Sequence, residues 1–276
     1  MSPLVSQTAP PGVRSVFEYA VTETAPDAAR PPHRGLPSSA LTLVFAADAP
    51  ILCSPSHDDW RARRGSSHDV CLGAFHTRPV YLHRPDHQEG VQVAIHPLAA
   101  RRLLGLPTSA LTELTQEGED VLGPRVRSLF ARVSSAAPGE RCALVSDGLG
   151  VLRESNDRRS GPRAEVVAAW QLLERTAGRM PVAEVASRVS VSSRHLSTLL
   201  TAELGIGTKQ LADLFRFEAA HLVVVDSWRR GAALSLADIA HAHGYADHSH
   251  LDRAYRRFAG VSPTGWIAAE LDRAAT

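Results

Sequence analysis

The chain has 276 residues, enough for two domains, and its 44% hydrophobic content supports packed cores and argues against global disorder. Its 30 Lys+Arg nearly balance its 29 Asp+Glu, leaving a net charge of +1, so overall charge announces no nucleic-acid partner. No apolar run approaches the roughly 20 residues of a membrane helix, so no membrane partner is expected.

The first residues, MSPLVSQTAPPGV, lack the basic start and apolar stretch of a secretory signal. Residues 1–35 are rich in Pro and Ala and read as an N-terminal arm, with a short strand around 15–19. Strand-like runs follow at 41–46, 51–54, 69–75, 80–83 and 91–95. They are short, rich in β-branched or aromatic residues, and bounded by Pro, Gly, Asp and Ser. HDDWRARRGSSH, between the second and third, reads as a polar loop. From Pro97 the segment LAARRLLG runs helically to a glycine stop, and further helices are expected over 121–135 and 140–153. Strands followed by helices, not alternating with them, argue for an α+β regulatory or sensor domain over 36–160.

ESNDRRSGP, residues 154–162, has the composition of a linker, and 163–276 is expected to form a second, all-helical domain. A helix over 164–177, spaced through Val166, Val167, Trp170 and Leu173, should carry Trp170 into the core. One pattern then occurs twice, as VAEVASRVSVSSRHLSTLL at 182–200 and LADIAHAHGYADHSHLDRAY at 236–255. Each copy starts with a short apolar-periodic run and breaks at a small-residue turn, Ser190-Val191 or Gly244-Tyr245. Each restarts at a polar cap, Ser192 or Asp247, four residues before a leucine, Leu196 or Leu251. Short helix, tight turn and capped second helix make a helix-turn-helix. Between the copies, Leu211, Leu214, Phe215, Ala219, Leu222 and Val223 recur at helical spacing. A helix of about 18 residues, roughly 27 Å, would hold two recognition units apart over 208–227.

Residues 182–267 resemble the DNA-binding region of the AraC/XylS family of bacterial transcriptional regulators. The resemblance rests on Ala186, Leu196, Gly205, Arg216-Phe217 and Ala220 in the first half. In the second half it rests on Ile239-Ala240, Gly244-Tyr245, Asp247, His250-Leu251, Arg253, Arg257-Phe258, Gly260, Ser262-Pro263 and Trp266. Ser190, Leu200 and Thr208 depart from the usual Gly, Phe and Pro of that pattern. Residues 36–150 resemble, more loosely, a regulatory domain found with this module. Family analogy suggests a cupin-like half barrel there. The resemblance implies a cytoplasmic transcription factor that is not an enzyme. Its first partner would be double-stranded DNA; RNA polymerase, a small-molecule effector and a second copy of the chain are further candidates. A different class remains open: a small-molecule-binding or enzymatic N-terminal domain with the helical region as an interaction module.

Helical geometry assigns faces. With Leu196, Leu199 and Leu200 inward, Arg194, Ser197, Thr198 and Thr201 share the outward side. With Leu251, Tyr255 and Phe258 inward, His248, Ser249, Asp252, Arg253 and Arg256 face out. Arg194 and Arg253, expected at comparable places early in the two helices, can each bond a guanine bidentately. Asp252 could accept from a cytosine amine or orient Arg253 or Arg256. His195 and His250, one before each leucine, suit backbone bonding better than base contact. No metal or cofactor site is expected. Cys53, Cys71 and Cys142 are odd in number and far apart, and His57, His68, His76, His83, His87 and His96 are scattered. The thiols read as buried small hydrophobes.

Overall fold

A computed structural model of the chain describes residues 9–22, 32–83, 85–232 and 235–274, with side chains to residue 269. The N-terminal half is built on two antiparallel sheets. Strand β1 (Val13–Thr22) and β2 (His33–Gly35) come first, followed by β3 (Leu41–Ala46) and β4 (Ile51–Ser54). A short helix, α1 (His57–Arg61), leads to β5 (Ser66–His68), β6 (Val70–Gly73), β7 (Val80–His83) and β8 (His87–Ile95). Helix α2 (Ala100–Leu103), β9 (Thr115–Glu117), α3 (Gly118–Leu122), α4 (Pro124–Ser135) and α5 (Arg141–Ser155) complete this half. One sheet runs β1-β8-β3-β6-β9 and the other β2-β7-β4-β5.

Alternation drives the larger sheet onto the core. Leu41, Leu43 and Phe45 point one way from β3 and pair with Ile95, Val93 and Val91 of β8, all fully buried. Helices α4 and α5 cover the sheet against β1, β3 and β8. A smaller apolar cluster of Ala46, Ile51, Cys53, Cys71 and Val80 joins the two sheets.

The structure corrects several boundaries. The expected arm contributes β1, paired with β8 from Val13 to Thr22, with Val16 fully buried. The expected polar loop holds α1 and β5, because Ser56 caps the helix by accepting from the Asp59 amide at 3.1 Å. The helix expected over 121–135 is two helices, broken at Gly123 (φ +78°) with Pro124 opening α4. Strand β9 is polar and three residues long, and carries no hydrophobic period to announce it.

The C-terminal half is entirely helical. It comprises α6 (Ala164–Arg175), α7 (Val182–Arg188), α8 (Ser193–Leu204), α9 (Thr208–Arg229), α10 (Leu236–Ala242), α11 (His248–Ala259) and α12 (Pro263–Ala274). One continuous apolar core runs from the larger sheet through α4 and α5 into these helices. Among the described residues, no helix is long and apolar enough to cross a membrane.

Candidate nucleic-acid interface

Two helix-turn-helix units, α7–α8 and α10–α11, form by the same local devices. Val191 N–H bonds the Ala186 carbonyl at 3.1 Å, and Tyr245 N–H bonds the Ala240 carbonyl at 2.9 Å, closing equivalent turns. Both turns need left-handed backbone. Gly244 supplies it freely (φ +74°), whereas Ser190 adopts it at φ +58°. The side chains of Ser192 and Asp247 cap α8 and α11 by accepting from the His195 and His250 amides, at 3.2 and 2.7 Å. Gly205 (φ +81°) and Gly260 (φ +73°) stop both helices in the left-handed region.

The caps fix the alignment of the two recognition helices. Ser192 matches Asp247, Leu196 matches Leu251, Leu200 matches Tyr255 and Gly205 matches Gly260. On that register Arg194 corresponds to Ser249, and Arg253 corresponds to Thr198. The expectation that Arg194 and Arg253 hold comparable places early in their helices is therefore wrong. Arg194 is the second residue of α8, and Arg253 lies about one turn deeper in α11. The extra residue of the second copy, Ala246, sits in the turn before the cap and shifts the register there.

Leu196, Leu200, Leu251, Tyr255 and Phe258 are buried. Arg194, Thr198, Thr201, His248, Ser249, Arg253 and Arg256 are exposed, while Ser197 and Asp252 are partly covered. Arg194, Ser197, Thr198 and Thr201 line one shallow concavity with Ala202. Among the described residues, the Arg194 and Arg253 guanidinium groups have no hydrogen bond or ion pair. Arg256 instead bonds Asp252 at 2.8 Å. The Thr198 hydroxyl turns back to the Arg194 carbonyl at 3.1 Å. His250 stands edge-on to Tyr245 and its Nδ1 accepts from the Ala246 amide at 3.3 Å, which ties it to the turn. His195 is exposed.

Helix α9 joins the units. It runs 22 residues, longer than the expected strut, and ends before Gly231 (φ +60°). The Arg216-Phe217 pair connects both ends of the domain. Arg216 donates to the Gly178 carbonyl at 2.8 Å and lies 5.8 Å over the Tyr245 ring. Phe217 stacks on Phe258 at 4.8 Å and meets Tyr255 edge-on at 5.2 Å. His221, one turn on, contacts Trp266 and bonds the Tyr255 hydroxyl at 3.1 Å, and burial lowers its pKa to about 4. Arg257, one turn after Arg253 on the same side of α11, reaches back to Asp213 of α9 at 3.5 Å.

The joint between the halves had no signal in the sequence. Trp170 is buried where both halves meet, packed on His96 (4.9 Å), Phe215 (5.0 Å) and Phe75 (6.0 Å). Arg101 bonds both oxygens of buried Glu203 on α8 at 2.9 and 3.0 Å, and Ser109 donates to the Ala202 carbonyl at 2.7 Å. Arg14 pairs with Glu174 at 2.9 Å. Charge pairs so distant in sequence have no period or spacing to mark them. The sequence reading of the thiols as distant is also revised in space. Cys53 and Cys71 lie with their sulfurs 3.8 Å apart, and all three cysteines are buried. The neighbouring Cys53 and burial push the Cys71 thiol well above its ordinary pKa.

A helix-turn-helix domain profile matches residues 185–269. No curated protein matches the sequence. Among solved structures, ToxT from Vibrio cholerae aligns over 94% of this chain and 98% of its own, with 9% identity and a TM-score of 0.50. A ToxT structure with bound unsaturated fatty acid aligns over 95% and 97%, with 10% identity and a TM-score of 0.50. The C-terminal domain of AraT, a response regulator from Geobacillus stearothermophilus, aligns over 40% of this chain and 88% of its own, with 25% identity and a TM-score of 0.35. The ToxT likeness shows a shared two-part fold. The profile match falls on both helix-turn-helix units and the strut between them. The C-terminal region carries a helix-turn-helix domain, the DNA-binding part of a two-part fold shared with ToxT.

Proposed function

We propose that one chain reads two adjacent major-groove segments on one side of a duplex, sequence-specifically, through α8 and α11. The observation that carries this reading is α9. Its 22 residues span about 33 Å at 1.5 Å each, close to the roughly 34 Å between successive major-groove faces. In this reading Arg194, in the first turn of α8, and Arg253, in the second turn of α11, reach base edges. Ser197, Thr198, Thr201, His248 and Ser249 bond bases or phosphates. Arg256, held by Asp252, meets a phosphate. Residues 163–276 form the DNA-binding unit and 36–160 the regulatory unit.

The protein acts by binding, not catalysis, in the cytoplasm, with RNA polymerase and a second copy of the chain as further partners. A small-molecule effector, such as the fatty acid held by ToxT, would signal across the joint. A groove of about 370 Å³ supports this, because residues of the sheets line it together with Ile206, just after α8. Inserting about five base pairs between the half-boxes of a selected binding sequence turns one half-box away from the strut. Affinity then falls to that of one unit. Unchanged affinity with an unchanged footprint would leave a single reading helix.

A further inference from the structure

We infer that Cys53, His68 and Cys71 form a binding site for a thiophilic closed-shell cation, Zn²⁺ being the form to test. The three residues come from β4, β5 and β6, so the site would clip one sheet to the other. Their ligand atoms all lie within 4.8 Å of one another, and the two sulfurs are 3.8 Å apart. Two thiolates each about 2.3 Å from one tetrahedral ion stand about that far from each other. Thiolate and imidazole are the donor set that selects zinc over the hard cations.

Burial gives an independent reason. His68 is only 5% exposed, yet its Nδ1 has no hydrogen-bond partner. A buried imidazole that leaves one nitrogen without a hydrogen bond, clustered with two buried thiols, is costly as a plain core arrangement and suits a metal site. A supporting shell is present. The Glu117 carboxylate lies 3.7 Å from His68 Nδ1, and the Thr115 hydroxyl lies 3.1 Å from Nε2. Glu117 is itself held by the Asp69 and Val70 amides, both at 3.0 Å. Metal-bound histidines are typically oriented by such a carboxylate on the nitrogen away from the metal, so with Nδ1 facing Glu117 the ligand would be Nε2, in place of its Thr115 contact. There is also a way in. The groove lined by Ile206 is also lined by Cys53, Ser66 and Thr115, so it reaches the edge of the site.

The full-length protein, purified under reductant, is loaded with Zn²⁺, desalted and assayed for metal by mass spectrometry. About one equivalent per chain is expected. Co²⁺ in place of Zn²⁺ should give sulfur-to-metal charge-transfer absorption in the wild-type chain, a readout that needs no variant. Cys53→Ser and Cys71→Ser should each abolish retention, while Cys142→Ser should keep it. Glu117→Gln should weaken binding about 10- to 100-fold, as loss of a positioning carboxylate does. A wild-type chain that keeps no metal and shows no charge-transfer band overturns the inference. So does retention unaffected by the double Cys53→Ser, Cys71→Ser change, or a Cys53–Cys71 disulfide in the metal-loaded protein. None of these readouts involves DNA, so they stand or fall separately from the two-groove reading.

Discussion

The two helix-turn-helix units are built from one plan but anchored differently. The first sits against the N-terminal half: α8 carries Glu203, bound by Arg101, and Ala202, whose carbonyl accepts from Ser109. Trp170 of α6 lies beneath it at the seam. The second leans mainly on α9 and α12, through an aromatic cluster of Phe217, His221, Tyr255, Phe258 and Trp266. Their outer faces have diverged too. The first offers one open guanidinium among hydroxyls, whereas the second offers Arg253 beside an Arg256 already engaged by Asp252. The duplication therefore teaches that capping and turn geometry were kept while anchoring and reading faces changed. The first unit is tied to the N-terminal half by polar pairs, while the second, touching it at Gly260, is held mainly by the aromatic cluster.

The comparison can be broken most severely at the strut. Phe217→Ala removes the ring that stacks on Phe258 and Tyr255, a loss of about 3–5 kcal/mol for a buried Phe. We expect the second unit to lose protection in hydrogen exchange while α8 keeps it. Equal loss in both would show that the domain opens as one piece and that the two anchorages are not separate.

Acid should act on both anchorages. His96, packed on Trp170 at the seam, and His221, under the second unit, are each lowered to about 4 by burial. In the unfolded chain each titrates near 6.5. Between those values the unfolded state holds the extra proton, so stability rises with pH there. Both contributions are complete above about 6.5 and are lost as pH falls toward 4, at most about 1.4 kcal/mol per pH unit for each residue. Denaturant melts at pH 7 and 5 should show a smaller difference in His96→Gln and in His221→Gln than in the wild type. Undiminished pH dependence in both variants would remove these groups from the account.

The reading faces are sharpened by paired substitutions. Arg194→Ala and Arg253→Ala should each cost about 1–3 kcal/mol on a selected operator and little on random DNA. Equal losses on both kinds of DNA, measured at one salt concentration, would make the residue a phosphate contact. Arg256→Ala, with its side chain already tied to Asp252, should weaken both alike.

The smallest effect lies in the turns. Ser190→Gly relieves left-handed strain and should stabilise the first unit by up to about 1 kcal/mol, partly offset by the added freedom of the unfolded chain. Gly244→Ser should cost the second about as much. The side chain has space, since a Cβ there would be 3.4 Å from the Arg179 side chain, so strain alone would act. Thermal melts that move in the same direction for both changes would rule out the strain account.

Sequence alone determined the paired units. Periodicity at 3.6 residues, polar caps at Ser192 and Asp247, and glycine stops at Gly205 and Gly260 are local devices, written in consecutive residues. Strands such as β3, β4 and β7 were equally legible because alternation is local. It caught β1 only as a short strand around 15–19 within an arm, since Pro and Ala nearby hid the full length that pairing with β8 completes. It also took Arg194 and Arg253 as comparable, because both face outward, although aligning the caps places Arg253 opposite Thr198, a turn deeper. Tertiary structure decided the rest. The seam through Trp170, the Arg101–Glu203 pair and the meeting of Cys53, His68 and Cys71 join residues far apart in the chain. Such contacts follow from how the larger sheet, α4, α5 and the C-terminal helices share one core and how a second cluster joins the two sheets. No local period encodes which distant side chains will face each other once water is excluded.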